Sequence, residues 1–233
     1  MRIAIIPARG GSKRIPRKNI REFRGKPMIG WSIEAALQCG CFDHVVVSTD
    51  DEEIANIARK LGAEVPFMRP APISDDHAST LNVLQHGVQA VEKTYGETLD
   101  LGCCLYATAP FVTPENLQQG LQKMLVDASL EFAFTVTRFP SPIQRALKID
   151  SHKRIQMMQP EFEKSRSQDL EETYHDAGQF YWFRRDAVFN STGFFSAVSA
   201  PILLPREQVQ DIDTDEDWKN AELAHQLLEK RQA

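Results

Sequence analysis

The sequence predicts an α/β protein with a mainly parallel sheet, on three observations. Short apolar runs rich in β-branched residues alternate with stretches whose apolar residues recur at helical spacing, the succession that lays parallel strands side by side beneath crossing helices. The first run empties straight into a loop that carries Gly10, Gly11, Ser12 and the cations Arg9, Lys13, Arg14, Arg17 and Lys18. A composition of 42% hydrophobic and 25% charged residues over 233 positions is that of a globular chain with a sizeable core, so one domain spanning residues 1–233 is expected.

Each element follows in order. Residues 3–6 are continuously apolar, as a strand buried on both faces should be. Ile29, Trp31, Ile33, Ala36 and Leu37 mark a helix over 29–38. Val45-Val46-Val47 is a second strand, and Ser48, Thr49 or Asp50 is expected to cap a helix over 51–61, whose acidic first turn suits the helix dipole and whose end is marked by Gly62. Residues 64–67 read as a short edge strand. Arg69-Pro70-Ala71-Pro72 is a stiff link, and residues 74–80 form a polar loop before an amphipathic helix over 81–95. A buried strand over 101–106 leaves through Ala107-Thr108-Ala109-Pro110-Phe111, after which Thr113 caps a helix over 114–124 with Pro114 in its first position. A strand over 132–137 gives way to a loosely patterned stretch, 139–168, punctuated by Pro140, Pro142 and Pro160; it reads as an excursion from the sheet. Residues 178–183, rich in aromatics, return as a strand, and a last helix is expected over 215–230 with Asp215 as its cap.

The formal net charge of −5 excludes a general field for nucleic acid or an anionic membrane, so the five cations of the first loop are a local concentration matched to a small anion. Cys39, Cys41, Cys103 and Cys104 have neither zinc nor disulfide spacing and read as buried small residues in a reducing cytoplasm. The apolar run after Arg2 is too short for a secretory signal, and no stretch approaches the roughly 20 apolar residues that span a bilayer.

A buried strand that opens into a cationic, glycine-containing loop is how an α/β protein presents a phosphate site. Gly10-Gly11 supplies neither the dinucleotide fingerprint nor, without a closing Gly-Lys-Ser/Thr, a P-loop. At the other end of the chain, Asp211-Ile212-Asp213 alternates. In extended backbone both carboxylates share one side and can face a hard cation such as magnesium, while Ile212 faces the core. Asp50-Asp51 and Asp75-Asp76 read equally as helix caps or as part of a site. Phosphate loop and carboxylate pair together suggest metal-assisted nucleotidyl transfer, driven by positioning and electrostatics. No nucleophile stands out.

The segment Pro7-Ala-Arg-Gly-Gly-Ser-Lys-Arg-Ile-Pro-Arg-Lys-Asn19 resembles the signature of the cytidylyltransferases that activate nine-carbon sugar acids, the CMP-sialic acid synthetase family. The resemblance continues through Val47-Ser-Thr-Asp50, Arg69-Pro70, Ala78-Ser79-Thr80, Gly178 to Tyr181, Phe194-Phe195 and Asp211 to Thr214, nearly the whole chain in order. It implies a three-layer Rossmann-like nucleotidyltransferase fold with a small dimerisation arm at 139–168, and a homodimer with shared active sites. CTP and a nine-carbon sugar acid would be the substrates and Mg2+ the cofactor.

Carried over by position, Arg9, Gly10, Ser12, Lys13, Lys18 and Asn19 would hold the triphosphate, with Arg9, Lys13 and Lys18 in the catalytic role. Arg69 and Ala78, Ser79 and Thr80 would hold the cytidine, and Asp211 and Asp213 the magnesium. Tyr106, Gln179, Tyr181, Phe194 and Phe195 would meet the sugar, with Arg145 and Arg166 reaching its carboxylate across the dimer. The sialic acid enzymes carry glutamine in place of Tyr106 and alanine in place of Gln179. The acceptor is therefore read as a relative of sialic acid, in a bacterial branch that serves flagellin or surface-glycan decoration. Phe183 stands where that branch is expected to carry glycine, which leaves the pocket wall open to revision. Legionaminic, sialic and 3-deoxy-manno-octulosonic acid are the alternative acceptors. A CTP-binding regulator without turnover and a dehydrogenase are the alternatives from other classes.

Overall fold

The computed structural model of the chain describes residues 1–75, 78–196 and 198–232. In chain order its elements are β1 (Arg2–Pro7), the minimal strands β2 (Glu22–Phe23) and β3 (Lys26–Pro27), α1 (Met28–Gln38), β4 (His44–Ser48), α2 (Glu52–Lys60), α3 (Thr80–Tyr95), β5 (Leu101–Leu105), α4 (Pro114–Val126), β6 (Phe132–Arg138), β7 (Leu147–Ile149), β8 (Ile155–Met157), β9 (Tyr174–Arg184), α5 (Arg185–Asn190), β10 (Ser199–Leu203) and α6 (Asp215–Gln232).

Strand alternation builds three layers. In β1, Ala4 and Ile6 join α1, α2 and α4 in one core, while Ile3 and Ile5 face α3 and α5 in a second. The same switch divides β9, with Phe180 and Trp182 on the first face and Tyr181 and Phe183 on the other. The sheet runs β10-β6-β9-β5-β1-β4. Every pairing is parallel except those of β9, which lies antiparallel between β5 and β6. The chain therefore crosses from β4, on one side of β1, to β5 on the other. That reversal opens a crevice at the carboxyl ends of β1 and β5, where sheets of this kind bind ligands.

Several expectations are revised. Residues 64–67 do not form a strand; only isolated bridges, Val46 to Glu64 and Thr49 to Met68, tie this segment to the sheet edge. Pro66 has no N–H to offer a ladder. The expected strand at 178–183 extends over Tyr174–Arg184, and α5 and β10 escaped the sequence reading. Residue Asp51, one past the expected caps, closes α2 by accepting the N–H of Ile54 at 3.0 Å. At α6 the cap is Thr214 in place of Asp215: its hydroxyl takes the N–H of Asp217 at 3.1 Å while the Asp217 carboxylate takes the Thr214 N–H at 2.8 Å.

Phe183 does not line a pocket. It is fully buried opposite Gly102 in the β5–β9 ladder, and a Cβ on Gly102 would lie 2.2 Å from its ring. The excursion at 139–168 contains the antiparallel β7–β8 hairpin, which pairs Leu147 with Met157 and Ile149 with Ile155 on one face. Among the described residues no helix is long and apolar enough to cross a membrane.

Candidate active site

The loop after β1 is held from behind. The N–H of Gly10 donates to Asp50 Oδ1 at 3.0 Å, and a Cβ on Gly10 would stand 2.6 Å from the Asp51 carboxylate, so glycine is required by close approach. Asn19, 7% exposed, donates from Nδ2 to the Arg9 carbonyl at 2.9 Å and pins the loop's far end to its start. The loop so fixed walls a cavity of about 320 Å³ with Arg9, Ser12, Lys13, Arg14, Lys18 and Asn19. Arg17 is the exception among the five cations. Its backbone sits at φ +56° and its guanidinium grips Asp51 and Glu53 at the start of α2, so it braces the cap of that helix while the other four cations line the cavity. Burial pushes the Lys18 pKa down, against the pull of Asp213 and Asp211.

The opposite wall comes from Arg69, Ser74, Asp75, Ala78 and Thr80, with Tyr106 and Thr108 contributed by the end of β5 and its exit loop. Arg69 is buried, with its side chain 4% exposed and Asp50 Oδ1 3.8 Å away. Asp50 thus faces the loop and Arg69, and Asp51 caps α2, which settles the two readings of that pair. Ser79 caps α3 through the Asn82 N–H at 3.2 Å and does not line the cavity. The Ala78 N–H donates to Asp75 at 2.9 Å, so Asp75 acts locally as a turn acceptor; Asp76 and His77 lie outside the described residues. Thr80 Oγ1 is 3.3 Å from the Tyr106 hydroxyl, whose pKa burial pushes up to about 12.

From Tyr106 a run of aromatics leads outward. Its ring lies 5.5 Å from Tyr181, which stacks on Phe194 at 4.6 Å, and Phe195 packs edge-on against Phe134 at the open end, 74% exposed. Tyr181 is buried and donates its hydroxyl to Asp176, so it backs the wall and is not part of the surface. Gln179 also lies inside. A bulge brings the N–H groups of Gln179 and Phe180 to the Thr135 hydroxyl, each at 3.4 Å, and the Gln179 amide donates to the Gln208 carbonyl at 2.6 Å. Arg145 and Arg166 do not reach the cavity of their own chain; Arg145 donates to Ser167 at 3.2 Å, and Arg166 pairs with Asp169. Sequence reasoning missed Thr108 as a wall, although it is a polar side chain in a strand-exit loop.

Ile212 is buried with Trp218, Phe23 and Ile15, and Asp211 and Asp213 flank it. Asp213 pairs with Arg14 and with Lys18 Nζ at 3.6 Å, which brings the carboxylate beside the phosphate loop. Its N–H donates to Asp217 at 3.1 Å, so the backbone there is fixed by the start of α6. Among the described residues no three His, Cys, Asp or Glu side chains gather in a metal-binding group. Asp211 and Asp213 are hard oxygen donors of the kind that magnesium takes.

A family model described as Cytidylyltransferase matches residues 3–210. The chain is 45% identical over 225 residues to a pseudaminic acid cytidylyltransferase of Campylobacter jejuni, covering 97% of this chain and 96% of the relative. It is 32% identical over 241 residues to a CMP-N,N'-diacetyllegionaminic acid synthase of Legionella pneumophila, covering 99% and 97%. In three dimensions it is similar to a CMP:2-keto-3-deoxy-manno-octonic acid synthetase complexed with CTP, at a TM-score of 0.69 and 20% identity, over 97% of this chain and 98% of the other.

Proposed function

The chain belongs to the cytidylyltransferase family, and from that premise we propose that it transfers the cytidylyl group of CTP to pseudaminic acid, releasing pyrophosphate. The observation that carries this reading is the single cavity in which Arg9, Lys13, Arg14 and Lys18 face Arg69 and Thr80, with Asp213 alongside. The cations hold the triphosphate and Arg69 the cytosine. The anomeric hydroxyl of the sugar attacks the α-phosphorus in line and gives up its proton to water, a new P–O bond forms, and the bond from the α-phosphorus to the bridging oxygen breaks, so that pyrophosphate leaves. Arg9, Lys13 and Lys18 stabilise the charge that grows on the phosphate oxygens, from fixed positions that need no reorganisation during the reaction. Asp211 and Asp213 would hold magnesium, which when bound neutralises triphosphate charge. Arg14 and Lys18, the present partners of Asp213, would be the cations nearest that ion and the triphosphate.

The acceptor rests on the 45% identity to the Campylobacter enzyme and on Tyr106 at the cavity wall. Tyr181, Phe194 and Phe195 would pack on the sugar or support that contact, and Gln179 would act through the Gln208 segment. The protein is proposed to work in the cytoplasm as a homodimer joined through the apolar face of the β7–β8 hairpin, where Leu147, Ile149 and Ile155 are 59%, 73% and 70% exposed. Arg145 and Arg166 would then reach the partner's sugar site. The activated sugar would serve flagellin or surface-glycan decoration. Pyrophosphate release with CTP and magnesium, run against pseudaminic, legionaminic and sialic acids, tests the reading. Turnover is expected with pseudaminic acid above the others; preference for another acid overturns the acceptor, and no release with any acid overturns the transferase reading.

A further inference from the structure

A second cavity, of about 380 Å³, opens between α1, the start of α4 and α6, and shares no wall residue with the first. Its charge is of the opposite sign. Glu34, Glu115 and Glu229 line it, and no lysine or arginine does. Glu34 is held by Lys26 and Glu229 by Arg24 at 3.0 Å, while Glu115 has no ion pair among the described residues. Two polar atoms of the same wall are buried without a partner, Nδ1 of His225 and Oε1 of Gln208. His225 is 8% exposed, and its ring is wedged among Trp31, Phe111 and Phe23, with centroids 4.3, 5.5 and 5.6 Å away, so the nitrogen cannot turn to find a partner. Its backbone hydrogen bond to Pro110 leaves Nδ1 as the free nitrogen, and burial pushes its pKa down, so near pH 7 the ring is neutral and Nδ1 is a lone pair. Glu229 Oε1 lies 3.4 Å from it, and no hydrogen bond joins them, since both are acceptors. Gln208 is fixed by its carbonyl, which takes the Gln179 amide at 2.6 Å.

We propose that this cavity is a binding site for a small organic cation, an ammonium or guanidinium on an apolar body, whose N–H groups donate to His225 Nδ1, Gln208 Oε1 and the Glu229 carboxylate while the body lies against Trp31, Phe111 and Leu228. Acceptors that face one another without a donor are satisfied by a ligand that brings donors only, and both cationic groups do. Three carboxylates in a wall without a cation add the charge that selects them over neutral amides or alcohols. A metal ion is the poorer occupant. Among the described residues no three His, Cys, Asp or Glu side chains gather about one point, so the charges surround a volume fit for many atoms. Neither His225 nor these carboxylates has a part in the proposed transfer, so the site lies beyond it. A free amine and the lysine or arginine side chain of another protein share this chemistry, and the arms of the test separate them.

Calorimetric titration of the full chain with benzylamine, agmatine and the blocked peptide acetyl-Gly-Lys-Gly-amide tests this, with benzyl alcohol as the uncharged counterpart of benzylamine. A single saturable site is expected for the cations, with benzyl alcohol bound about tenfold more weakly or not at all. Tighter binding of the free amines than of the peptide gives the site to a free small molecule, and the reverse gives it to a protein side chain. The paired substitutions Glu115→Gln and Glu229→Gln, both at exposed side chains, are expected to weaken the cations about tenfold, and His225→Phe, which keeps a ring and loses the nitrogen, to do the same. If His225→Phe does not fold, Gln208→Met, which lacks Oε1, takes its place with the same expectation. Benzyl alcohol bound as well as benzylamine, no saturable site for any of the three cations, or unchanged affinity in the paired glutamate variant overturns the proposal. So does a loss that follows Asp211→Asn and Asp213→Asn in place of the glutamates, since it puts the cation beside the phosphate loop. No nucleotide or sugar acid takes part, so failure of this inference and failure of the transferase reading are separable.

Discussion

Asp213 and Arg17 show how far a single residue can be judged from the sequence. The alternation Asp211-Ile212-Asp213 puts Ile212 in the core and leaves the carboxylates outside, as period-2 backbone requires. Asp213→Asn is expected to lower magnesium-dependent pyrophosphate release by about a hundredfold or more while CTP affinity falls several times less, because the lost charge acts on the transition state more than on the ground state. Turnover equal to the parent's removes Asp213 from the metal site. Arg17 behaves in the opposite way. It sits among the cations of the phosphate loop, yet its left-handed backbone carries the side chain to Asp51 and Glu53. Arg17→Met is therefore expected to leave the CTP KM within about threefold and to cost about 0.5–1 kcal/mol of stability in denaturant titration, a half-exposed pair being worth no more. Cation count was legible in the sequence. Which cation faces the ligand was not, because one backbone angle decides it.

At the level of elements, the five longer helices were read nearly to the residue and Thr113 caps α4 as expected, but the caps of α2 and α6 were displaced by one. The cap depends on the angle at which the chain enters the helix, and that angle is set by tertiary contacts. Asp51 caps α2 and also receives Arg17; the Arg17 hydrogen bond above all, then the Ile54 N–H, holds its pKa below the ordinary aspartate value. A depressed folded-state pKa contributes stability that is complete above the unfolded-state value and is lost as pH falls through the folded one. Asp51→Ala should thus cost about 1–2 kcal/mol at pH 7, with the gap to the parent closing below about pH 4 as the parent's own carboxylate is protonated. Denaturant titrations of parent and variant as pH is lowered measure it, and a gap that does not narrow with falling pH contradicts the assignment. The β5–β9 ladder gives a second test. Gly102→Ala would drive a methyl into Phe183 and should cost about 1–3 kcal/mol, most of it recovered by Phe183→Leu. The sequence showed an unexpected phenylalanine; only the antiparallel register, which sets Gly102 opposite it, explains how it is accommodated.

For the whole molecule, the excursion at 139–168 is the feature on which the proposed dimer rests. Its β7–β8 hairpin turns Leu147, Ile149 and Ile155 to the outside, an apolar face that a lone two-stranded hairpin cannot bury. Paired Ile149→Lys and Ile155→Lys substitutions are expected to shift the protein from dimer to monomer in light scattering. The sugar-acid KM should rise about tenfold or more while CTP affinity is retained, since the cavity proposed for the nucleotide is built within one chain. A dimer that survives both lysines places the interface elsewhere.

The sequence by itself determined the layered α/β fold and the place of a cationic loop at the end of its first strand, because buried runs, glycines and charges are local properties of the chain. Tertiary structure decided the rest. It turned Arg17 away, moved Gln179 inside and set Gly102 against Phe183. Each of these depends on where two distant segments meet, which strand order and register fix and residue spacing does not.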